Sequence, residues 1–306
     1  MKRGRGDGAV AAARDGHRGA IVFQSRPWLF FQPKKDNPLR LKVTTWNINS
    51  VRLRMPIVAR FLREHAPDVL CLQETKCRDG EFPHSAFREL GYEHIAIHGQ
   101  KGYHGVAVVS RLPLAEPNRR DFCQKGDARH LMARVMAGDR PFTVHNFYVP
   151  AGGDEPDPAV NPKFAHKLSF MEEMAEWTRA EKIAAERAVL VGDLNIAPHE
   201  NDVWSHKQML NVVSHTAVEV DLLHRAFQAG PWVDALRHFV PHEERLYTWW
   251  SYRSPDWLKA DKGRRLDHIW VSEPMKPGLS RLHVFKDARG WERPSDHVPV
   301  SIDLDV

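Results

Sequence analysis

Two apolar runs with the same ending constrain the fold of this chain more than any other feature. Each run comes after a helical pattern and reads as a short apolar strand that ends near a carboxylate. The two runs are DVLCLQETK (68–76), with Glu74, and AVLVGDLN (188–195), with Asp193. Strands that alternate with helices favour an α/β fold in which helices cover mixed sheets. Because no linker interrupts residues 41–306, the repeated pattern predicts one domain built from two related halves.

Local patterns support this interpretation. The segment 55–65 places its apolar residues on one helical face, which predicts an amphipathic helix. The runs 132–137 and 142–150 are typical of strands, and Gly138 and Asp139 between them predict a hairpin.

Polar side chains follow the ends of the apolar strands. Each one alone is compatible with a turn, a helix cap or a position on the rim of the fold. Carboxylates that gather in one place repel one another unless a cation compensates them. Oxygen ligands without cysteine suit Mg²⁺ or Mn²⁺, so the pattern predicts metal-assisted attack of water on a phosphodiester. The candidates are Asn47, Asn49, Glu74, Tyr148, Asp193, Asn195, Asp267, Asp296 and His297.

Residues 1–40 differ in composition from the rest of the chain. They contain nine Lys or Arg and three Asp, and we predict a disordered basic extension before a domain at 41–306. The domain carries 35 basic and 36 acidic residues, so any footprint for nucleic acid must be local. Three cysteines without paired spacing argue against a zinc site or a disulfide framework and favour a cytoplasmic location. No apolar run reaches the length of a membrane span.

Seven motifs in this order resemble the blocks of the exonuclease III family of DNA repair nucleases, within the endonuclease/exonuclease/phosphatase superfamily. They are TWNINSVRLR, LCLQETK, GYHGVAVVSR, NFYVP, GDLNIAP, RLDHIWVS and SDHVPV, and the resemblance extends over residues 41–306. It implies a four-layer α/β sandwich, in which helices flank two mixed β-sheets. It also implies a monomeric, divalent-metal-dependent enzyme acting on double-stranded DNA, through 3′→5′ exonuclease action, incision at abasic sites and removal of 3′-blocking groups.

The resemblance also implies a metal centre for Mg²⁺, with Mn²⁺ as a substitute. Glu74 matches the principal metal carboxylate. Whether a second ion binds near Asp193, Asn195 and His297 is left open by the sequence. The residues implied near one ion or the other are Asn47, Asn49, Glu74, Asp193, Asn195, Asp296 and His297.

Catalytic roles follow from the same correspondence. Asp193 matches the acid that positions or deprotonates the attacking water, and Asn195 matches the amide that holds the scissile phosphate. Tyr148 matches a phenol near the attacked or leaving oxygen. Asp267 matches the acid that orients His297, which donates to a phosphate oxygen.

Basic and aromatic residues on the strand-end loops are candidates for DNA contacts. Trp249 and Trp250 point to opposite sides of an extended segment, so at most one of them can face DNA. Arg264 stands where many relatives carry an aromatic residue, which suggests looser selection for abasic nucleotides, unless its side chain simply points to solvent. The candidates are Arg52, Arg54, Lys76, Lys101, Tyr103, Arg129 and Arg264.

Two other functions remain open at this point. One is a phosphatase or phosphodiesterase of the same superfamily that acts on a small phosphorylated substrate. The other is a catalytically silent DNA-binding module, against which the full set of acids argues. The balance among the three nuclease activities and the role of residues 1–40 also remain open.

Overall fold

Two six-stranded β-sheets stack face to face in the computed structural model, which describes residues 39–180 and 186–306. The strands are β1 (Arg40–Asn47), β2 (Val69–Gln73), β3 (His94–His98), β4 (Val106–Ser110), β5 (Leu114–Asn118), β6 (His130–Val135), β7 (Phe142–Tyr148), β8 (Ala188–Asp193), β9 (Trp232–Asp234), β10 (Trp249–Trp250), β11 (Gly263–Arg264), β12 (Asp267–Ser272), β13 (Leu279–Val284) and β14 (Val300–Asp305). The helices are α1 (Val51–His65), α2 (His84–Arg88), α3 (Pro162–Ala180), α4 (His206–Met209), α5 (Ala217–Gln228), α6 (Ala235–Phe239) and α7 (Trp257–Ala260).

Each large sheet is built around one parallel pair of strands. The first sheet has the order β13–β14–β1–β2–β4–β3, with β1 and β2 parallel and linked by α1. The second has the order β5–β6–β7–β8–β12–β9, with β7 and β8 parallel and linked by α3. The other neighbours are antiparallel, including the β6–β7 pair that the hairpin pattern predicts. Strands β10 and β11 form a separate two-stranded ribbon.

Three apolar clusters hold the layers together. The central cluster lies between the sheets and includes Val43 and Val69 from the first sheet with Val189 and Ile269 from the second. A second cluster packs the outer face of one sheet against α1 and α2, and a third packs the other sheet against α3 and α5. The result is the predicted four-layer α/β sandwich with two mixed sheets flanked by helices, which is confirmed.

The alternation of side chains along the strands places the polar candidates. In β8, Val189 and Val191 face the other sheet, and Asp193 continues the same face at the end of the strand. In β1, Val43 faces the same inter-sheet space, and Asn47 follows on that face. The inter-sheet core therefore changes from apolar to polar where these strands end.

The predicted helix over 55–65 lies within α1, whose buried residues form one face. None of the described helices is long and apolar enough to cross a membrane. The predicted basic extension lies outside the described residues up to residue 38, so its disorder stays a prediction.

Candidate active site

The strand ends that carry the predicted polar residues open into one cleft of about 810 Å³. Parallel neighbours end at the same edge of a sheet, so β1 with β2 and β7 with β8 bring four carboxyl ends to the cleft. Glu74, Asp193, Asn195, Asp296 and His297 all line it. The structure thus brings together residues that are far apart in the sequence.

Asn47 connects the carboxylates of the two sheets at the base of the cleft. Its Nδ2 donates to Glu74 Oε1 at 2.9 Å and to Asp193 Oδ2 at 2.8 Å. Its Oδ1 accepts from the Asn49 backbone N–H at 3.0 Å, which leaves that oxygen one lone pair for a cation.

Asp267, His297 and Asp193 form a buried row in the second half of the cleft. His297 Nδ1 lies 2.9 Å from Asp267 Oδ2, and His297 Nε2 lies 3.5 Å from Asp193 Oδ2. Thr248 Oγ1 donates to the same Asp267 oxygen at 2.6 Å, which fixes the orienting carboxylate. In the described part of the chain, the buried Asp267 Oδ1 has no hydrogen-bond partner.

The electrostatics of this row favour a charged imidazole. Burial lowers the pKa of His297, but Asp267 and Asp193 outweigh burial and raise that pKa to about 10. Burial also raises the pKa of Asp193 to about 7, although His297 opposes that shift. His297 therefore keeps its proton at neutral pH, whereas Asp193 can exchange a proton in that range.

Glu74 and Asp296 form the acidic wall of the cleft. Lys76 Nζ lies 2.7 Å from Glu74 Oε2 and 2.6 Å from Asn49 Oδ1, and Asn49 Nδ2 donates to Asp296 Oδ1 at 3.2 Å. Burial opposes the charge of Glu74, yet the Lys76 ammonium and hydrogen bonds hold its pKa below the ordinary value. The pKa of Asp296 is also lowered, because its neighbours outweigh burial. Both carboxylates are ionised at neutral pH, as metal ligands must be.

A backbone turn directs Glu74 into the cleft. Its neighbour Gln73 faces the inter-sheet space and donates to Asn146 Oδ1 at 2.7 Å. A continued strand would send the next side chain to the opposite face. Glu74 instead has a φ of 51°, in the left-handed region, and this turn brings its carboxylate back beside Asn47.

Tyr148 is a protonated donor in this site. Its hydroxyl donates to Glu74 Oε1 at 2.9 Å, and burial together with the charge of Glu74 raises its pKa well above the ordinary value. Arg129, a predicted DNA contact, is buried beneath it, with its guanidinium 5.0 Å from the Tyr148 ring centre and 2.9 Å from Asp127 Oδ2. Arg129 therefore supports the phenol from below.

Asn195 is held in a left-handed conformation, with a φ of 54°. Its backbone N–H donates to Asp193 Oδ1 at 3.0 Å, and its Nδ2 donates to Val149 O at 2.9 Å and Asp193 Oδ2 at 3.1 Å. Both amide hydrogens are engaged, so a phosphate must replace one of these acceptors to bind this amide.

Arg264 lies in the cleft wall and does not point to solvent. Its guanidinium lies 5.0 Å from the Trp249 ring centre, and Nη1 donates to Ser214 Oγ at 2.9 Å. Trp249 in turn donates from Nε1 to Asp296 Oδ2 at 2.9 Å. The neighbouring Trp250 is buried in the core, so the two tryptophans divide between cleft and core as their alternation requires.

The other predicted DNA contacts lie away from the lining of the cleft. Tyr103 is 71% exposed, and Arg52 and Lys101 are also exposed. Arg54 is partly buried, since it donates to Pro294 O at 2.9 Å and to the Tyr252 hydroxyl at 2.8 Å. Their role in binding DNA stays a prediction.

Sequence reasoning did not identify the residues that orient the site from behind. Thr248 holds Asp267, while Gln73 and Asn146 bridge the sheets below Asn47. The inward-facing polar position at the end of β2 was a usable signal for Gln73, because it interrupts an apolar face. For Thr248 the sequence contains no such signal.

Comparison with known proteins places the chain in a family. The profile of the endonuclease/exonuclease/phosphatase family matches residues 44–297. The chain is 30% identical over 271 residues to exodeoxyribonuclease III of Haemophilus influenzae, which covers 85% of this chain and 98% of the relative.

Solved structures give the same result. The structure of an AP endonuclease from Archaeoglobus fulgidus is similar to this chain, with 32% sequence identity and a TM-score of 0.80. The structure of a Neisseria 3′ phosphatase bound to a product DNA hairpin is also similar, with 33% sequence identity and a TM-score of 0.78. Each alignment covers 87% of this chain and 100% of the other. The chain therefore belongs to the endonuclease/exonuclease/phosphatase family, as a hydrolase of its exonuclease III group.

Proposed function

We propose that this chain is a divalent-metal-dependent DNA repair nuclease that hydrolyses phosphodiester bonds in duplex DNA as a monomer. The main support is the convergence of the Asp267–His297–Asp193 row and the acidic pair Glu74 and Asp296 in one cleft. The names of the relatives support three activities: 3′→5′ exonuclease action, incision at abasic sites and cleaning of blocked 3′ ends.

The acidic wall fits a hard cation. Glu74 and Asp296 are ionised, and a carboxylate oxygen and an amide oxygen already converge on the Lys76 ammonium. Glu74, Asp296 and the amide oxygens of Asn47 and Asn49 would hold Mg²⁺, or Mn²⁺ in its place. When bound, such a cation neutralises the charge that builds on the phosphoryl oxygens.

The buried row also offers a place for a second ion. Asp193, Asp267 and His297 lie close enough together to share a metal, with ligand atoms within 4.8 Å of one another. A protonated imidazole has no free lone pair for a metal, so an ion bound at His297 and a proton-donating His297 exclude each other.

The remaining steps belong to side chains of the second sheet. Asp193 takes the proton of the attacking water, because its pKa of about 7 suits a general base near neutral pH. His297, held by Asp267 through Nδ1, donates from Nε2 to the developing oxyanion. Asn195 holds the scissile phosphate by exchanging its bond to Asp193, and Tyr148 donates to the attacked or leaving oxygen. Burial and the charge of Glu74 raise the pKa of Tyr148, which favours the role of donor over that of base.

DNA contacts would extend from this centre along the cleft rim. Arg264 and Lys76 line or adjoin the cleft and can meet phosphates directly. The exposed Arg52, Lys101 and Tyr103 would follow the duplex further out.

The experiment that tests the proposal uses three labelled duplexes: one with an internal abasic site, one blunt, and one with a 3′-phosphate. Each is incubated with the purified chain in Mg²⁺ and in excess EDTA, with the Asp193→Asn variant as the control for contaminating nucleases. We expect cleavage or dephosphorylation of each duplex in Mg²⁺ and none in EDTA. Full activity in EDTA would overturn the metal-dependent mechanism.

A phosphatase or phosphodiesterase acting on a small substrate is the second candidate. The open cleft of about 810 Å³, with Arg264 and Trp249 on its wall, is compatible with a single nucleotide or another small phosphate. Turnover of small phosphate esters without any cleavage of the three duplexes would support this alternative.

A further inference from the structure

A completely buried lysine lies behind the cleft. Lys167, on α3, has no exposed surface, and its Nζ lies 2.5 Å from Glu219 Oε1, 2.8 Å from Asn195 O and 3.3 Å from Ala151 O. An ammonium has three donors, so all of them are used. A buried charge is stable only when it is paired and hydrogen-bonded, and this one is.

Glu219, the partner of Lys167, also binds the loop that leads into α5. Its carboxylate accepts from the backbone N–H groups of Ser214 and Thr216 at 2.9 and 3.1 Å and from the Thr216 hydroxyl at 2.7 Å. Ser214 Oγ is the acceptor for Arg264 in the cleft wall. One buried ion pair therefore lies behind two cleft residues, Asn195 and Arg264.

The contact with Asn195 is directed at a residue in an uncommon conformation. A φ of 54° lies in the left-handed region, which asparagine enters more readily than other non-glycine residues but still uncommonly. The Lys167 ammonium holds the carbonyl of this residue, while Asp193 holds its N–H. These two contacts fix the backbone on both sides of the Asn195 Cα and so set where its side-chain amide lies in the lining of the cleft.

We propose that Lys167 is a positioning residue, which acts with Glu219 to hold the Asn195 amide where the scissile phosphate binds. The alternative is a purely structural role, in which the ion pair only stabilises the packing of α3 against α5. The proposal rests on the proposed nuclease function, so its tests must separate a misplaced amide from an unstable fold and from a wrong assignment of activity.

A double-mutant cycle separates positioning from stability. Lys167→Met keeps the length of the side chain and removes the donors, while Asn195→Ala removes the amide. If Lys167 acts through Asn195, Lys167→Met should lower kcat on an abasic duplex by roughly tenfold to a hundredfold, with KM changed little. In the Asn195→Ala background the same change should have almost no further effect on kcat. Additive losses in the cycle would overturn the proposal, as would an unchanged kcat in the folded Lys167→Met protein.

Two further variants keep the test decisive. If Lys167→Met alone does not fold, the double variant Lys167→Met/Glu219→Leu removes both charges together and leaves no unpaired buried carboxylate. Arg237→Met is the matched control, because Arg237 is also buried in an ion pair, with Asp202, and has no contact with Asn195. We expect this control to lose stability while kcat stays within threefold of the wild type.

A spectroscopic measurement remains valid if the nuclease assignment is wrong. In protein labelled with ¹⁵N-asparagine, the side-chain amide signal of Asn195, assigned by its loss in Asn195→Ala, should shift in Lys167→Met and stay in place in Arg237→Met. A shifted signal in a chain without nuclease activity would support the positioning contact and reject only the proposed function. An unmoved signal would reject the positioning role itself.

Discussion

Asp193→Asn tests whether the carboxylate at the end of β8 prepares the attacking water. In the native site Oδ2 accepts from Asn47 and Asn195 and faces His297, while Oδ1 accepts the Asn195 N–H. The new amide should keep its oxygen toward the larger group of donors, which places its NH₂ against the Asn195 N–H. One buried hydrogen bond is then lost, at a cost of about 1–3 kcal/mol in folding free energy.

The rate should fall by more than this rearrangement explains. Loss of positioned proton transfer typically costs about 10²–10⁴-fold, or roughly 2.7–5.5 kcal/mol of transition-state stabilisation. DNA affinity should be kept or improved, because the change removes one negative charge beside the phosphates. A large fall in rate with unimpaired binding is therefore the expected signature.

Single-turnover cleavage of an abasic duplex gives the rate, and fluorescence anisotropy in EDTA gives the affinity. Asp234→Asn is a suitable control, because Asp234 pairs with Arg265 outside the lining of the cleft. That control should lower the melting temperature while its cleavage rate stays within threefold of the wild type. A rate for Asp193→Asn within threefold of the wild type would remove Asp193 from the catalytic role.

Four other changes test separate parts of the proposal. Glu74→Ala should raise the Mg²⁺ concentration needed for half-maximal cleavage at least tenfold, measured by metal titration, because it removes the carboxylate that we propose as the principal metal ligand. Asp267→Asn should shift the alkaline limb of the pH–rate profile to lower pH, because His297 loses the charge that raises its pKa to about 10 and gives up its proton sooner; an unmoved limb would exclude His297 as the acid. Arg264→Trp should raise the ratio of abasic incision to exonuclease rate several-fold, since an aromatic wall contact contributes about 1 kcal/mol; equal changes in both rates would exclude Arg264 from selecting the substrate. A chain that begins at Pro38 should fold and cleave, with DNA affinity reduced mainly at low salt, and an inactive soluble truncation would contradict this.

The architecture was predictable because it depends on local pattern. Apolar runs of strand length alternate with an amphipathic helix at 55–65 and with the hairpin around Gly138, and these features favour mixed sheets covered by helices. The packing of the two sheets against each other, and therefore which polar residues meet, was not predictable from local pattern. Asn47 and Asp193 are 146 residues apart, and only the packing of two sheets brings them to 2.8 Å.

The positions of charged side chains were the weaker part of the sequence reasoning. Arg129 has the charge of a DNA contact, but its guanidinium is buried between Asp127 and the ring of Tyr148. Arg264 has the same charge and does reach the cleft, because it pairs with Trp249 across the β10–β11 ribbon. Charge alone does not distinguish these two cases, since the difference lies in which neighbours approach from other parts of the chain.

The acid–base properties of the site follow from the alternation that builds the core. Along β8, the period of two that buries Val189 and Val191 also carries Asp193 into the inter-sheet space, where it is only 1% exposed. Burial at that depth raises the pKa of the carboxyl to about 7, although the charge of His297 and the hydrogen bond from Asn47 oppose this rise. His297 keeps that charge because Asp267, placed by the same alternation on β12, faces the same space. The proposed base and the residue that orients the proposed acid are therefore placed together by the pairing of β8 with β12, which sets Asp193 directly opposite Asp267.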